Sequence, residues 1–326
     1  MSRTKGDERV HGYELDRNWG ETQAGWVRGE VSGIAIDSGD NVFVFARQQH
    51  PVMIYTTDGR LLDHWGEGLF RRPHAISVAH DGSVYCVDDW GHAVFQFSPD
   101  GHMRQKIERL APTSEYPSPE APGQPLTVKS VVPPFNFPTG VARSRDGNLY
   151  VSDGYGNARV HVFDPRGKLL FSWGEPGEGP GQFRLPHGVA IDQQDRVYVS
   201  DRMNARVQVF TLRGEFTAQW PARWPNTVAF GREGEVYVAE LGGVFLFSSA
   251  ADQHQPAARV TVRSRDGEVV SEILEEPPHE REPFFAPHAV AVDSKGDVYV
   301  GEVAASYSHG QAPSGWSVLR KYVRIS

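Results

Sequence analysis

A repeat of about 40 residues runs through the chain and constrains its fold more than any other feature. One copy reads Pro186-His-Gly-Val-Ala-Ile-Asp192, then Val197-Tyr-Val-Ser-Asp201, and continues with two further short runs at 206–211 and 215–220. Polar turns separate these runs, and their alternating or β-branched residues are typical of strands. Four strands in a repeat of this length predict one blade of a β-propeller.

Six copies of the repeat can be aligned, so we predict an all-β, six-bladed β-propeller over residues 1–326. The second place of the first strand is polar in every copy, and it holds Ser32, His74, Thr139, His187, Asn226 and His288. Two steps between these places are longer than the others. We predict that the extra residues are loop insertions at about 103–134, which is rich in proline and glutamate, and at about 249–284, which contains Pro277-Pro278.

The two ends of the chain predict how the ring closes. The sixth copy ends at 318–324, which corresponds to the third strand of a blade, so its fourth strand is missing. Segment 12–20 follows the fourth-strand pattern of segment 167–174. We therefore expect an N-terminal strand to complete the last blade, which removes an exposed sheet edge.

Histidine occupies the second place in alternate blades, at His74, His187 and His288. The first strand of each blade lines the central channel, and six blades lie about 60° apart, so these side chains converge on the axis at about 120°. A single Pro-His pair is more often a structural turn, but three equivalent ones favour a metal site. Three neutral imidazoles with an open position suit Zn²⁺, while Mn, Fe, Co and Ni remain alternatives.

The loops after the second strands face the same mouth of the channel. Five begin with an acid, for which we predict a scaffold role in binding backbone N–H groups of the next turn: Asp88, Asp153, Asp201, Glu240 and Glu302. Residues that break the repeat are better catalytic candidates. Arg47 and Arg202 each carry a planar guanidinium group that can bind a substrate carboxylate through two hydrogen bonds. The alternative for each arginine is a surface salt bridge. Tyr155 is the only phenol directly after a second strand in an ordinary blade; it is either a base or an aromatic wedge between blades.

Composition excludes several function classes. The 33 Lys+Arg and 41 Asp+Glu give a net charge of −8 without a basic stripe, so we expect no nucleic-acid partner. No apolar run approaches the roughly 20 residues that cross a bilayer, and we expect no membrane partner. One cysteine, Cys86, allows no intramolecular disulfide, and residues 1–10 do not resemble a signal peptide. We therefore expect a cytoplasmic protein that acts on a small-molecule or peptide-like substrate.

The motifs Tyr150-Val-Ser-Asp-Gly-Tyr155 and Gly181-Gln-Phe-Arg-Leu-Pro-His187 carry a family resemblance, together with Pro73-His74 and Pro287-His288. The chain resembles the NHL-repeat propellers and, within them, the peptidyl-α-hydroxyglycine α-amidating lyases (peptidylamidoglycolate lyases), over nearly all six blades. The resemblance implies that the three histidines bind zinc, that Tyr155 is catalytic, and that Arg47 and Arg202 belong to the active site. The reaction it implies splits an N-acylated α-hydroxyglycine into an amide and glyoxylate.

Some positions depart from that family. Gly156 follows Tyr155 where the animal enzymes have a cysteine, and Ala286 replaces a methionine. Ala289 stands where they have an acid that serves a structural calcium, so the resemblance does not carry Ca²⁺. A small carbinolamide or 2-hydroxy acid is as reasonable a substrate as a peptide.

Two other functions stay open: a non-catalytic NHL-propeller binding module, and a calcium-dependent, lactonase-type hydrolase that uses carboxylates and Asn226.

Overall fold

The computed structural model describes residues 12–16, 18–20, 26, 29–108, 134–241, 258–273, 284–307 and 316–325. Its strands form six separate four-stranded antiparallel sheets, which confirms the predicted six-bladed β-propeller. The inner strand of each blade begins with proline in five cases and with glutamate in the first. These strands are β2 (Glu30–Ile36), β6 (Pro73–Val78), β10 (Pro138–Arg143), β14 (Pro186–Ile191), β18 (Pro225–Phe230) and β22 (Pro287–Val292).

The remaining strands follow outward in sequence order within each blade, except that β1 forms the outer strand of blade 6. The second strands are β3 (Val42–Arg47), β7 (Val84–Asp88), β11 (Leu149–Asp153), β15 (Val197–Asp201), β19 (Val236–Glu240) and β23 (Val298–Glu302). The third strands are β4 (Val52–Tyr55), β8 (Ala93–Phe97), β12 (Arg159–Phe163), β16 (Arg206–Phe210), β20 (Arg259–Arg263) and β24 (Leu319–Arg324). The outer strands are β5 (Leu61–Trp65), β9 (Met103–Glu108), β13 (Leu169–Trp173), β17 (Phe216–Pro221), β21 (Val269–Ile273) and β1 (Tyr13–Asp16).

The N-terminal strand closes the ring as predicted. β1 pairs antiparallel with β24, and Tyr13 lies opposite Arg324. Trp19, which follows β1, is 5% exposed and packs against Tyr55 of blade 1 and Tyr299 of blade 6. The joint between the last and first blades is thus both hydrogen-bonded and packed with aromatic side chains.

Both predicted insertions are wider than the structure allows. β9 occupies the start of 103–134, while β20 and β21 lie within 249–284 and complete blade 5. Arg259–Arg263 alternates polar residues with valines, a strand pattern that the proline-rich surroundings obscured. The segments 109–133, 242–257 and 274–283 lie outside the described residues.

Burial decreases from the second strands outward. Every residue of β7, β11, β15, β19 and β23 is buried, whereas β13 and β17 are largely exposed. Hydrophobic side chains pack between the sheets of neighbouring blades, and the ring of Tyr198 in blade 4, for example, meets that of Phe230 in blade 5 edge-on. This packing holds the second strands rigidly, so the loops that follow them have fixed starting points. Among the described residues, no helix is long and apolar enough to span a membrane.

Candidate metal centre

A β-bulge marks the start of all six inner strands. The pairing register shifts at the second place each time, for example between Pro73 and Ala75 in β6 and between Pro186 and Val189 in β14. A bulge leaves its extra residue without a ladder partner and turns the side chain away from the alternation of the strand. The second-place side chains can therefore point towards the propeller axis.

The structure brings His74, His187 and His288 together at that axis. These residues are 0%, 1% and 2% exposed, respectively. The ring centroids are 4.9 Å apart for His74–His187, 4.9 Å for His74–His288 and 4.8 Å for His187–His288, an almost equilateral triangle. One nitrogen from each ring lies within 4.8 Å of the other two. This is the threefold arrangement that the alternate-blade spacing predicts.

Backbone carbonyls of the other three blades orient the imidazoles. Nδ1 of His74 donates to the carbonyl of Thr139 (2.7 Å), Nδ1 of His187 to that of Asn226 (3.0 Å), and Nδ1 of His288 to that of Ser32 (2.7 Å). Thr139, Asn226 and Ser32 occupy the bulged second places, so the bulge takes their carbonyls out of the regular ladder. Because a carbonyl only accepts, Nδ1 carries the proton and Nε2 presents a lone pair.

The three imidazoles are neutral at neutral pH. Burial lowers the pKa of each well below the ordinary value of 6.5. The next largest influences also lower the pKa: His288 acts on His74, Arg202 on His187, and Arg47 on His288. Protonated histidine, which would repel its neighbours, is therefore strongly disfavoured at this centre.

The centre has more imidazole lone pairs than the Tyr155 hydroxyl can satisfy, and this excess fits a bound cation. The Tyr155 hydroxyl lies 3.0 Å from Nε2 of His74 and 3.2 Å from Nε2 of His187. A phenol has a single proton, so it can donate to only one of these two lone pairs at a time. The third imidazole, His288, adds another neutral nitrogen to the same cluster. Neutral imidazoles in a closed triangle are ligands of Zn²⁺ and related transition metals, so the donor set fits such an ion.

Tyr155 is held by both its backbone and its ring. Its N–H donates to the carbonyl of Phe137 (3.4 Å), and its ring packs in a small hydrophobic cluster with Phe137, Leu185 and Met203. The ring also meets the rings of His74 (5.2 Å) and His187 (5.7 Å) edge-on, and the hydroxyl contacts their Nε2 atoms. The predicted catalytic tyrosine therefore lies at the centre rather than acting solely as a wedge between blades.

Arg202 is a buried cation that forms no ion pair with any residue that the structure describes. It begins a short 3-10 helix (Arg202–Asn204) after β15 and is 2% exposed. Nη1 donates to the hydroxyl of Tyr307 (2.9 Å), Nη2 donates to Oδ1 of Asn226, and Nε has no hydrogen-bond partner among the described residues. No carboxylate of the described chain forms an ion pair with Arg202. Since burying an unpaired charge is costly, this environment favours an anionic ligand.

Arg47 lies nearby but is already paired. Its Nη1 contacts Glu30 (2.9 Å) and donates to Oγ of Ser306 (2.7 Å), while Nε donates to the carbonyl of Pro73 (3.2 Å). The guanidinium still contributes to the lowered pKa of His74 and His288. Of the two predicted arginines, Arg202 is thus the stronger candidate for binding an anion.

Sequence reasoning missed a second ion pair, Arg72 and Asp89. The two strands of blade 2 place these residues where blade 1 has Glu30 and Arg47, with the charges exchanged. Asp89 is 0% exposed, and its Oδ2 lies 3.5 Å from Nη1 of Arg72 and 4.0 Å from Nε2 of His74. Burial raises the pKa of Asp89 to about 7. Asp89 breaks the repeat at the same place as Arg47 and Arg202, and that signal could have identified it.

A second phenol also reaches the mouth. Tyr307 ends the short helix α1 (Ala304–Tyr307) after β23, and its hydroxyl accepts from Arg202. Burial raises its pKa to about 12, so it stays protonated at neutral pH. Sequence analysis considered only phenols directly after a second strand, and it did not find Tyr307 because the helix that carries this residue was not foreseen.

The five recurring acids are scaffold residues, as predicted. Asp88 accepts from the N–H groups of Arg71 and Arg72, and Glu302 accepts from those of Phe285 and Ala286. The same bond, spanning 17 residues, recurs in the other three blades, through Asp153, Asp201 and Glu240. The turn they hold is the one before the inner strand of the same blade, not the next turn. Each acid thus holds the turn that leads into an inner strand and so positions the residue at the bulged second place of that strand.

Comparison with known proteins agrees with this architecture. The NHL repeat model matches residues 135–163 and 183–210, which lie in blades 3 and 4 of the six-bladed propeller, so these two blades are similar to NHL repeats. Virginiamycin B lyase from Staphylococcus aureus has a similar fold, with a TM-score of 0.57 at 15% identity, over 90% of this chain and 83% of that one.

Among curated proteins, the resemblance to the amidating lyases is confirmed. Peptidylglycine alpha-amidating monooxygenase of Rattus norvegicus is 29% identical over 310 residues, which are 84% of this chain and 29% of that protein. The chain thus spans under a third of that relative. The probable peptidyl-alpha-hydroxyglycine alpha-amidating lyase pgal-1 of Caenorhabditis elegans is 24% identical, over 85% of this chain and 81% of that protein.

Proposed function

We propose that this propeller is a metal-dependent carbon–nitrogen lyase that cleaves an N-acylated α-hydroxyglycine, or a related carbinolamide, into an amide and glyoxylate. The observation that carries the proposal is the meeting of three Nε2 lone pairs, the Tyr155 hydroxyl and the Arg202 guanidinium at one buried place. The relatives named amidating lyases support the same reaction class.

His74, His187 and His288 would hold the metal, most simply Zn²⁺, with the carbonyls of Thr139, Asn226 and Ser32 as fixed outer partners. Three protein ligands leave a coordination position open, as in catalytic zinc sites. A bound Zn²⁺ supplies Lewis-acid chemistry that lowers the pKa of a hydroxyl group.

Arg202 would bind the substrate carboxylate. Its Nε is without a partner among the described residues, and its Cζ lies 5.9 Å from the centre of the Tyr155 ring. An anion held there would lie beside the tyrosine and the histidines. A charge-assisted hydrogen bond from a guanidinium also orients a planar carboxylate.

Tyr155, once its own hydroxyl proton has passed to solvent, would take the proton of the substrate hydroxyl. The hydroxyl carbon then becomes the aldehyde carbon of glyoxylate, the C–N bond breaks, and its electron pair goes to the amide nitrogen. Return of the same proton to that nitrogen gives the amide, so no oxidant or reductant is needed. Asp89, whose Oδ2 lies 4.0 Å from Nε2 of His74, is a second buried acid–base group beside the centre that would assist this transfer.

The contacts of Asn226 disfavour the calcium-dependent hydrolase. Its Oδ1 accepts from Arg202 and its Nδ2 donates to the carbonyl of Pro287, so its oxygen faces a cation of the protein. The groups that converge on the axis are nitrogens, whereas Ca²⁺ prefers oxygen ligands. A binding module would need none of these buried, converging groups.

The test is glyoxylate release from a small N-acyl α-hydroxyglycine and from a peptide that ends in it. We expect activity that a chelator abolishes and zinc restores, and that is absent in His187→Ala. His102→Ala is the matched control, because its side chain is 77% exposed and outside the centre. Release that resists chelation and survives in His187→Ala would refute metal dependence. No release from either substrate by the zinc-loaded protein would refute the reaction.

A further inference from the structure

A second group of metal-ligating side chains lies in blade 1, apart from the three-histidine centre. His50 lies in the loop between β3 and β4, His64 lies in β5, and Glu67 lies in the turn that follows β5. One ligand atom from each residue lies within 4.8 Å of the other two. The pairing of Met53 with His64 joins the elements that carry these residues, so their spacing is set within one sheet.

The three ligand atoms converge on one point. Oε1 of Glu67 lies 2.6 Å from Nδ1 of His50 and 3.0 Å from Nδ1 of His64. Ligands of a tetrahedral zinc at about 2.0–2.1 Å are about 3.3 Å apart. The cluster would therefore accept an ion once the Glu67 oxygen lies about 0.3–0.7 Å farther from the two imidazole nitrogens. On binding, the metal replaces the protons that the imidazoles now share with the carboxylate.

Trp26 holds the two imidazoles in place. Its ring stacks on His50 with centroids 3.9 Å apart and planes at 22°, and it meets His64 edge-on at 4.9 Å. The opposite side is open, because the side chains of His64 and Glu67 are 36% and 43% exposed. An ion can enter from solvent and keep water in its remaining coordination positions.

We propose that His50, His64 and Glu67 form a second divalent-metal site, here called the rim site, which takes zinc or a similar transition ion. Two imidazoles and one carboxylate are a donor set that such ions accept. The rim site adjoins the wall of the central site through short contacts. The side chain of Gln48, two residues before His50, accepts a hydrogen bond from the N–H of Gly29. Glu30, which follows Gly29 in the chain, forms an ion pair with Arg47. A rim ion would therefore stabilise the position of Glu30 at the start of β2.

The test is zinc titration against a chromophoric chelator, which gives both the number of ions and their affinities. We expect two zinc ions per wild-type chain, and one in His64→Ala and in Glu67→Gln. Each substitution should weaken rim binding by more than about 100-fold, since losing even an outer-shell partner costs about 10–100-fold. His102→Ala, an exposed histidine outside the cluster, should leave two.

His187→Ala separates this proposal from the lyase proposal. If the rim site exists, His187→Ala still binds one zinc, and adding Glu67→Gln removes it. If the central site fails to bind metal, wild type binds one zinc that depends on His64 and not on His187. Equal stoichiometry and affinity in wild type, His64→Ala and Glu67→Gln would refute the rim site, whatever the state of the central one.

Discussion

Replacing Arg202 by methionine should remove the preference for a substrate carboxylate. In the structure Nη1 and Nη2 are already engaged by Tyr307 and Asn226, and Nε is without a described partner. A carboxylate therefore gains one new charge-assisted hydrogen bond, which is worth about 1.5–3 kcal/mol. That energy corresponds to about a 10- to 150-fold change in kcat/KM.

The assay compares an N-acyl α-hydroxyglycine with its carboxamide, for wild type and Arg202→Met. Wild type should prefer the carboxylate by about that factor, and the variant should show almost no preference. Arg47→Met is the comparison variant, since Arg47 is paired with Glu30 and should retain most of the preference. If Arg202→Met slowed both substrates equally, Arg202 would have a structural role and the reasoning from its unpaired charge would be refuted.

Three other substitutions probe the site and the fold. Tyr155→Phe should lower kcat by about 10²–10⁴-fold with bound metal unchanged; unchanged kcat would exclude the tyrosine as base. Trp19→Ala, which removes a side chain 5% exposed at the ring joint, should lower the free energy of unfolding by about 3–5 kcal/mol in urea, and a loss below 1 kcal/mol would contradict the role of the joint. For Glu240, burial raises the pKa, but Arg263 and Arg259 outweigh burial and leave the pKa lowered. Because the pKa is lowered in the folded state, the ionised carboxylate stabilises the fold at pH values above the ordinary pKa of 4.5, and this stabilisation is lost as pH falls through the folded-state pKa. Glu240→Gln should therefore be less stable than wild type at pH 7, and the difference in stability should shrink as pH falls below 4.5. A difference that stayed constant with pH would contradict this ion pairing.

The repeat was sufficient to predict the propeller, the closing strand and the convergence of three histidines. Period and strand pattern are local properties of the sequence, and propeller symmetry converts them into angles around an axis. The predicted boundaries of the second insertion were wrong because proline-rich segments interrupt the strand pattern around β20 and β21. There the strands depend on packing within blade 5, which a local pattern does not report.

The finer features of the site depend on neighbours that are distant in sequence. The proton on Nδ1 of His288 is fixed by the carbonyl of Ser32, 256 residues away. Tyr307 reaches Arg202 across 105 residues and from a helix that the repeat does not contain. Asp89 is different, since its charge at a repeat-breaking place was visible in the sequence. What the sequence could not give was its burial beside His74.

The most direct measurement is the zinc content of the purified protein in a Glu67→Gln background, which removes the rim cluster, with and without His187→Ala. A three-histidine centre predicts about one zinc per chain in the first protein and none in the second. Zinc absent from the first protein after equilibration with the metal, or equal amounts in both, would contradict the metal centre on which the lyase proposal rests.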